Sequence, residues 1–435
     1  MTKTLNKIPQ RQPGAAGAIR WLKRVFQAAV LGCLAYGRTA KAQEVFLPRP
    51  EISLTPVSMQ QFETNGMVFL PTGSAAERGA QRSPFGWGLV TLRPHLFYRF
   101  TAGGGIPAVG TNHVATAIHE FAPGLLFEIG RHWTLDYTPT WRFFSNSKFK
   151  DTLDHSITLT GGTAYADWVL GLVQRVDMSS APLVETGMQT DQETYSTGLT
   201  ASYRFNSKMS ADLGLNQRFV TSSGFNSFRE WSTLNWLNYQ FGRGLDAGIG
   251  AGFGYVDVAK GSDMAYEQLQ GRINWRVTDK IGFEVHGGAE NRQFLMDGGR
   301  GLISPVAGAR VQYQPFETTR LSFSADHAVT PSTIVVGDQN QITESTAVGL
   351  RLNQRLLKWF YLDLGGEYRD VTYSAAGSGS AGRKDEYYSF SVRLSCAFLK
   401  RANAAVFYQI SDNLSSQSGY TYSTTQIGIE VGYRF

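Results

Sequence analysis

The chain has 435 residues, with 41 Lys or Arg against 35 Asp or Glu, 47 glycines, 13% aromatic residues and only 17% charged residues. That balance fits strands carrying aromatic bands better than a soluble enzyme. The formal charge of +6 gives no case for nucleic-acid binding, because residues 1–42 hold eight basic residues and no acid; without them 33 basic residues face 35 acids, about −2.

Arg20, Lys23 and Arg24 lead into an apolar run from Val25 to Tyr36, and Ala40-Lys41-Ala42 follows. The run is too short to span a bilayer, and Ala40 and Ala42 supply a small-x-small cleavage site. We therefore expect a signal peptide over 1–42, cut before Gln43. A retained anchor would need a longer run. A lipidated Cys33 would need a smaller residue than Leu31 and an apolar run that stops at the cysteine. Removing the signal leaves Cys396 as the one cysteine, so neither an internal disulfide nor a cysteine metal cluster can form. An exported chain without a span of about 20 apolar residues is either soluble or a β-barrel. Residues 43–89 are punctuated by Pro48, Pro50, Pro56, Pro71 and Pro84 and predict an irregular periplasmic segment or partial plug.

From residue 90 the chain changes character. Polar turn signals recur around Arg131, Asp167, Ser207, Arg243, Asp279, Glu317, Lys358 and Lys400, spaced for two strands, one tight turn and one longer loop each. The longer loops are expected at 146–152, 178–191, 221–226, 258–262, 292–303, 330–341, 374–385 and 413–419. Between them the alternation is strict. At 269–277, Leu269, Gly271, Ile273, Trp275 and Val277 oppose Gln270, Arg272, Asn274 and Arg276; at 427–435, Ile427, Ile429, Val431, Tyr433 and Phe435 oppose Gly428, Glu430, Gly432 and Arg434. A sandwich can alternate too. However, no strand is apolar on both faces, and aromatics such as Trp168, Phe205, Tyr239, Phe241 and Trp275 gather beside the short turns as an interfacial girdle does. The predicted fold is all-β, an up-and-down antiparallel transmembrane barrel over 90–435 with about 18 strands, between 16 and 20.

Candidate chemistry is sparse. Gly248, Gly250, Gly252 and Gly254 lie on one face of a strand, so they leave room in the lumen or admit a close neighbour rather than cradle phosphate. The seven histidines show no metal-ligand spacing, and no cofactor or metal is expected. His327 faces outward by parity, with no nucleophile evident beside it. Strand parity turns Arg142, Arg175, Arg204, Arg218, Arg272, Arg276, Arg310, Arg351, Asp363, Glu367, Arg369 and Arg393 toward the lumen. There they pair across strands to hold the wall, set a field for solutes, or do both. Trp236, Tyr361, Tyr387 and Phe407 are also inward, but without the continuous run that a sliding polysaccharide needs.

The segments His119-Glu120-Phe121-Ala122-Pro123-Gly124, Trp133-Thr134-Leu135-Asp136-Tyr137 and Trp141-Arg142-Phe143-Phe144 resemble an outer-membrane β-barrel porin family of Gram-negative bacteria, a group that includes barrels encoded with exopolysaccharide operons. The terminal Tyr433-Arg434-Phe435 resembles the signal read by the barrel-assembly machinery. The resemblance implies an outer-membrane location and a pore for ions or small hydrophilic solutes, with polysaccharide export as the alternative. It implies outer-membrane lipid and the assembly machinery as partners, no nucleic acid and no catalysis.

Overall fold

The computed structural model describes residues 85–109, 112–183, 188–295, 301–336, 339–357, 359–375, 381–398 and 401–434. The predicted signal peptide with Ala40 and Ala42, residues 43–84, and Phe435 lie outside the described residues. The strands are β1 (Phe85–Trp87), β2 (Val90–Val109), β3 (Asn112–Ile129), β4 (Trp133–Phe144), β5 (Thr152–Tyr165) and β6 (Trp168–Leu183). They continue with β7 (Met188–Arg204), β8 (Met209–Ser222), β9 (Phe228–Gly242), β10 (Leu245–Val258), β11 (Met264–Thr278), β12 (Ile281–Phe294) and β13 (Leu302–Phe316). The last six are β14 (Thr319–Val336), β15 (Gln339–Leu356), β16 (Phe360–Ala375), β17 (Ala381–Phe398), β18 (Ala402–Ser415) and β19 (Tyr422–Arg434).

Each strand from β2 onward pairs antiparallel with the next, and β19 returns to β2 through a register running from Thr425↔Gly104 to Arg434↔His95. The sheet is therefore closed, with 18 strands in the wall. Below the end of β19 the edge of β2 is covered by β1, which pairs Phe85↔Leu92 and Trp87↔Val90 around a two-residue turn. Gly88 supplies the positive φ of +59° that such a turn needs. The predicted short turns at Arg131, Asp167, Ser207, Arg243, Asp279 and Glu317 each fall between two strands, and Lys358 and Lys400 lie outside the described residues. At the other end the predicted loops 146–152, 221–226, 258–262 and 413–419 fall at gaps between strands, and four others are too long. Strand pairing continues to Leu183↔Met188 between β6 and β7 and to Val336↔Gln339 between β14 and β15, which makes most of 178–191 and 330–341 hairpin. Segments 374–385 and 292–303 likewise give up residues to β16, β17 and β13. Polar residues there suit a loop and a solvated ladder equally well, so composition could not separate the two.

Exposed apolar side chains form the outer face. Tight-turn ends carry ring contacts such as Trp168–Tyr203 (4.8 Å), Tyr239–Phe241 (4.9 Å) and Trp275–Phe283 (6.2 Å). A second band runs through Phe219–Trp231 (5.3 Å), Trp231–Tyr255 (6.1 Å) and Tyr368–Tyr388 (5.0 Å). Between the bands lie residues such as Leu199, Ile249 and Ile429. Strands of 12 (β4) to 20 (β2) residues exceed the roughly 9–11 that cross a bilayer, so they project beyond the apolar belt.

Two hairpins bend over the lumen at the long-loop end. β2 bulges between Gly103 and Ile106, with Gly105 at φ +77°, and contacts β6 and β7, four and five strands away. Ile106 is buried with Phe149, against Phe144 and Ile118. On the other side β13 and β14 pair only as far as Ala307↔His327, while β14 continues with β15. Beyond that point Val329 and Ile342 are buried in one cluster with the inner-wall residues Val256, Met264 and Phe294.

Candidate functional site: the inner wall

Cross-strand pairing puts each residue on the face of its partner, so one inward residue orients a whole row. The decisive contact is Arg272 on β11, which ion-pairs with Asp212 on β8 and donates to Asn238 Oδ1 on β9 at 2.7 Å. A side chain crosses two intervening strands only on the concave side of a sheet, and Gly248 on β10 clears its path. A Cβ there would meet Asn238 Oδ1 at 2.5 Å. The other glycines of that strand admit rings: a Cβ at Gly250 would strike Trp236 at 2.7 Å, and one at Gly254 would strike Tyr266 at 2.1 Å. Guanidiniums cover several such rings, Arg272 over Trp236 (4.5 Å), Arg292 over Tyr266 (4.6 Å), Arg99 over Phe407 (4.4 Å) and Arg369 over Tyr387 (5.9 Å).

Across the closure runs a ladder of alternating charge. Asp154 Oδ2 lies 2.7 Å from Arg142 Nη1, and Arg142 Nε donates to Glu120 Oε1 at 2.7 Å. Arg99 Nε lies 3.9 Å from Glu120 and 3.6 Å from Glu430. Arg393 holds Glu430 at 2.9 Å and Asp363 at 3.3 Å, and Asn353 donates to Asp363. The contact between Arg99 on β2 and Glu430 on β19 spans the seam. Both ends of the ladder are thus tied through residues more than 300 positions apart in sequence. Side chains of Arg142 and Glu430 are 7% and 3% exposed. In so dry a setting each charge depends on its neighbours, because an unpaired buried ion is far costlier than a missing pair.

The remaining predicted residues divide into two groups. Arg175 pairs with Asp177, Arg369 with Glu367, and Arg310 with Glu284 at 3.4 Å, while Arg218 stacks over Phe228 at 5.1 Å. Arg204, Arg276 and Arg351 are exposed near the tight-turn end and have no carboxylate partner among the described residues. Arg320 and Arg355 share that situation. Arg320 faces Asn353, between Arg351 and Arg355, which makes one basic patch on β14 and β15. Parity reasoning missed Arg99, Asp154, Arg292, Arg320, Arg355, Arg383 and Asp385. The Arg93-x-His95-x-Phe97-x-Arg99 alternation would have revealed Arg99, but its inward set includes an aromatic and so masks the pattern. Tyr433 sits on β19 opposite Ala402 and Leu96, half-buried on the outer face.

At the bent-hairpin end the wall turns dry. Arg292, 2% exposed, holds Glu290 at 2.7 Å and donates through Nη2 to Val329 O at 3.2 Å, which pins β14. Tyr266 OH donates to Glu230 at 2.8 Å beside it. Opposite, Arg383 pairs with Asp385 at 3.1 Å between the rings of Tyr373 and Tyr420, 3.8 and 3.9 Å away. His327, on the outer face, contacts Thr346 Oγ1 at 2.8 Å and Glu344 at 3.2 Å. Among the described residues no group of three or more His, Cys, Asp or Glu could hold a metal ion.

No family model matches the chain, and no curated protein does. Solved structures with a similar path include OccK11 (OpdR) of Pseudomonas aeruginosa, at 13% identity over 79% of this chain and 96% of that one, with a TM-score of 0.41. The outer membrane protein OpdK of Pseudomonas aeruginosa matches at 11% identity over 79% and 98%, TM-score 0.43. OccAB2 of Acinetobacter baumannii matches at 11% identity over 79% and 98%, TM-score 0.45. The fold itself is read from the strand ladder. This chain is a closed, 18-strand up-and-down barrel.

Proposed function

We propose that the barrel is an outer-membrane channel for passive diffusion of small hydrophilic solutes, with a preference for anions. The observation that carries this reading is the inner wall. A barrel of roughly 16–18 strands is too wide for its side chains to fill, and here the inward surface near the tight turns is arginine-rich and exposed. Among the described residues Asp212, Glu284, Asp363 and Glu430 each hold a guanidinium, Asp136 has only His95, and Asp246 and Asp326 hold no guanidinium, whereas five arginines, Arg204, Arg276, Arg320, Arg351 and Arg355, hold no carboxylate, so the balance is positive. Uncompensated wall charge sets the sign of the local field and so the favoured counter-ion. The bent hairpins make the long-loop end the narrow one. Outer apolar belt, aromatic bands and export signal support insertion into the outer membrane of a Gram-negative cell, assembled by its barrel-folding machinery with Tyr433 and Phe435 as the recognised end.

Polysaccharide export is less well supported, since the faces of Trp236, Phe407 and Tyr387 are taken by arginines and offer no free platform to a sugar ring. The test is single-channel recording of the refolded mature protein in planar bilayers under a salt gradient. Resolved steps with a reversal potential of anion-selective sign are expected. A verifiably folded and inserted protein that conducts nothing overturns the channel reading.

A further inference from the structure

One stretch of the outer wall breaks the apolar belt. On β6 to β9, from the second aromatic band inward, neighbouring outward positions hold Gln174, Thr197, Gln217, Thr233 and Asn235, with registers Gln174↔Thr197, Thr197↔Gln217, Gln217↔Trp231 and Leu215↔Thr233. The equivalent belt on β16 to β19 holds Leu364, Val392, Val406 and Ile429. Internal bonding uses only part of this polar capacity. Thr197 donates to Gln174 Oε1 at 2.6 Å, Gln174 Nε2 donates to Arg175 O at 3.5 Å, and Asn235 Nδ2 donates to Thr233 Oγ1 at 2.8 Å. Asn235 Oδ1 accepts from Gly214 N at 3.3 Å, where the β8–β9 ladder lapses between Asp212↔Trp236 and Leu215↔Thr233. The Gln217 amide has no partner among the described residues. A primary amide offers two donors and two acceptor positions, and hydrocarbon satisfies none of them.

Beside this row the wall is concave. A groove of about 540 Å³ opens between Trp133, Leu170, Leu199 and Leu213, over a floor of Gly171 and Gly214. Leu199 and Leu213, each 44% exposed, project at its edges. Knobs, groove and polar row thus lie on one patch.

We propose that this patch is the contact surface for a second copy of the chain. The inference rests on the membrane reading above. Two barrels inserted in the same direction are related by an axis along the membrane normal, and that operation keeps every residue at its height. Close to such an axis a residue meets its own copy, so with the axis beside Gln217 the two Gln217 amides face each other and each donor finds an acceptor. Acyl chains can fill the groove but leave the Gln217 amide unpaired. A copy of the same patch supplies both leucine knobs and hydrogen-bond partners.

The experiment compares the full-length mature protein with a Gln174→Leu/Gln217→Leu double variant. It measures mass by light scattering in detergent, and disulfide capture of a Gln217→Cys variant in vesicles, with Cys396 replaced by Ser. Gln217→Cys is expected to cross-link between copies, and the double variant to shift at least tenfold toward single barrels while keeping the wild-type heat-modifiable folded band. A control Leu364→Gln on the opposite wall keeps the wild-type mass. A folded, inserted wild type that is a single barrel overturns the proposal and leaves the patch to lipid; so does a double variant of unchanged mass. Vesicle flotation is scored separately: a protein that stays with the soluble fraction overturns the membrane reading itself.

Discussion

Inward glycines mark where rings come to rest. At Gly254 the missing Cβ is the space occupied by Tyr266, whose hydroxyl reaches Glu230 and whose face carries Arg292. Gly254→Val displaces that ring, and we expect a loss of about 1–3 kcal/mol, as for other overpacked sites, read from urea unfolding of the refolded protein. Glu430 is the other sensitive residue. Glu430→Ala leaves Arg99 with Glu120 alone and Arg393 with Asp363 alone, and the loss of this shared buried partner is expected to cost about 1–3 kcal/mol. The same titration checks it, and an unchanged midpoint would show that the ladder contributes nothing to closure. Parity alone put Arg393, Glu430 and Asp363 on one face. It could not pair them, because a guanidinium on β17 has several carboxylates within reach and only the curvature of the wall selects among them.

Among the elements, tight turns and bent hairpins behave differently. The β5–β6 turn holds Ala166 at φ +50°, a conformation that disfavours any residue with a Cβ by about 1–2 kcal/mol. Ala166→Gly should therefore stabilise the barrel, by about 0.5–1 kcal/mol after the entropic penalty of glycine, visible as a raised urea midpoint. At the far end, Arg292 ties β14 to the inner wall through Val329 O. Arg292→Met keeps the bulk and removes the bond, and we expect a larger or noisier single-channel current as the β14–β15 hairpin loosens; an unaltered current would mean that this hairpin does not restrict the mouth. The turns were legible because glycine and polar residues interrupt strict alternation there. The hairpins were not, because nothing in a polar, alternating stretch says whether its ladder stops, continues or leans across the lumen.

For the whole molecule the balance of wall charge decides what passes. Replacing Arg320, Arg351 and Arg355 together by Gln removes the unpaired patch on β14 and β15 and should move the reversal potential toward cations, while conductance at high salt changes little because screening shortens the reach of each charge. A reversal potential unmoved by this triple change would place selectivity elsewhere, with the buried clusters at the bent-hairpin end as the next candidate. Alternation along the chain and the spacing of its turns determined, by themselves, the all-β class, the up-and-down order and a strand number of about 18. These are local patterns with periods of two residues and of one hairpin. Tertiary structure alone decided how β2 meets β19, how seven charges link into one ladder, and where Gly103–Gly105 and the parting of β13 from β14 let hairpins close over the mouth. Those outcomes depend on groups far apart in the chain, brought within a few ångströms only by the curvature of a closed sheet.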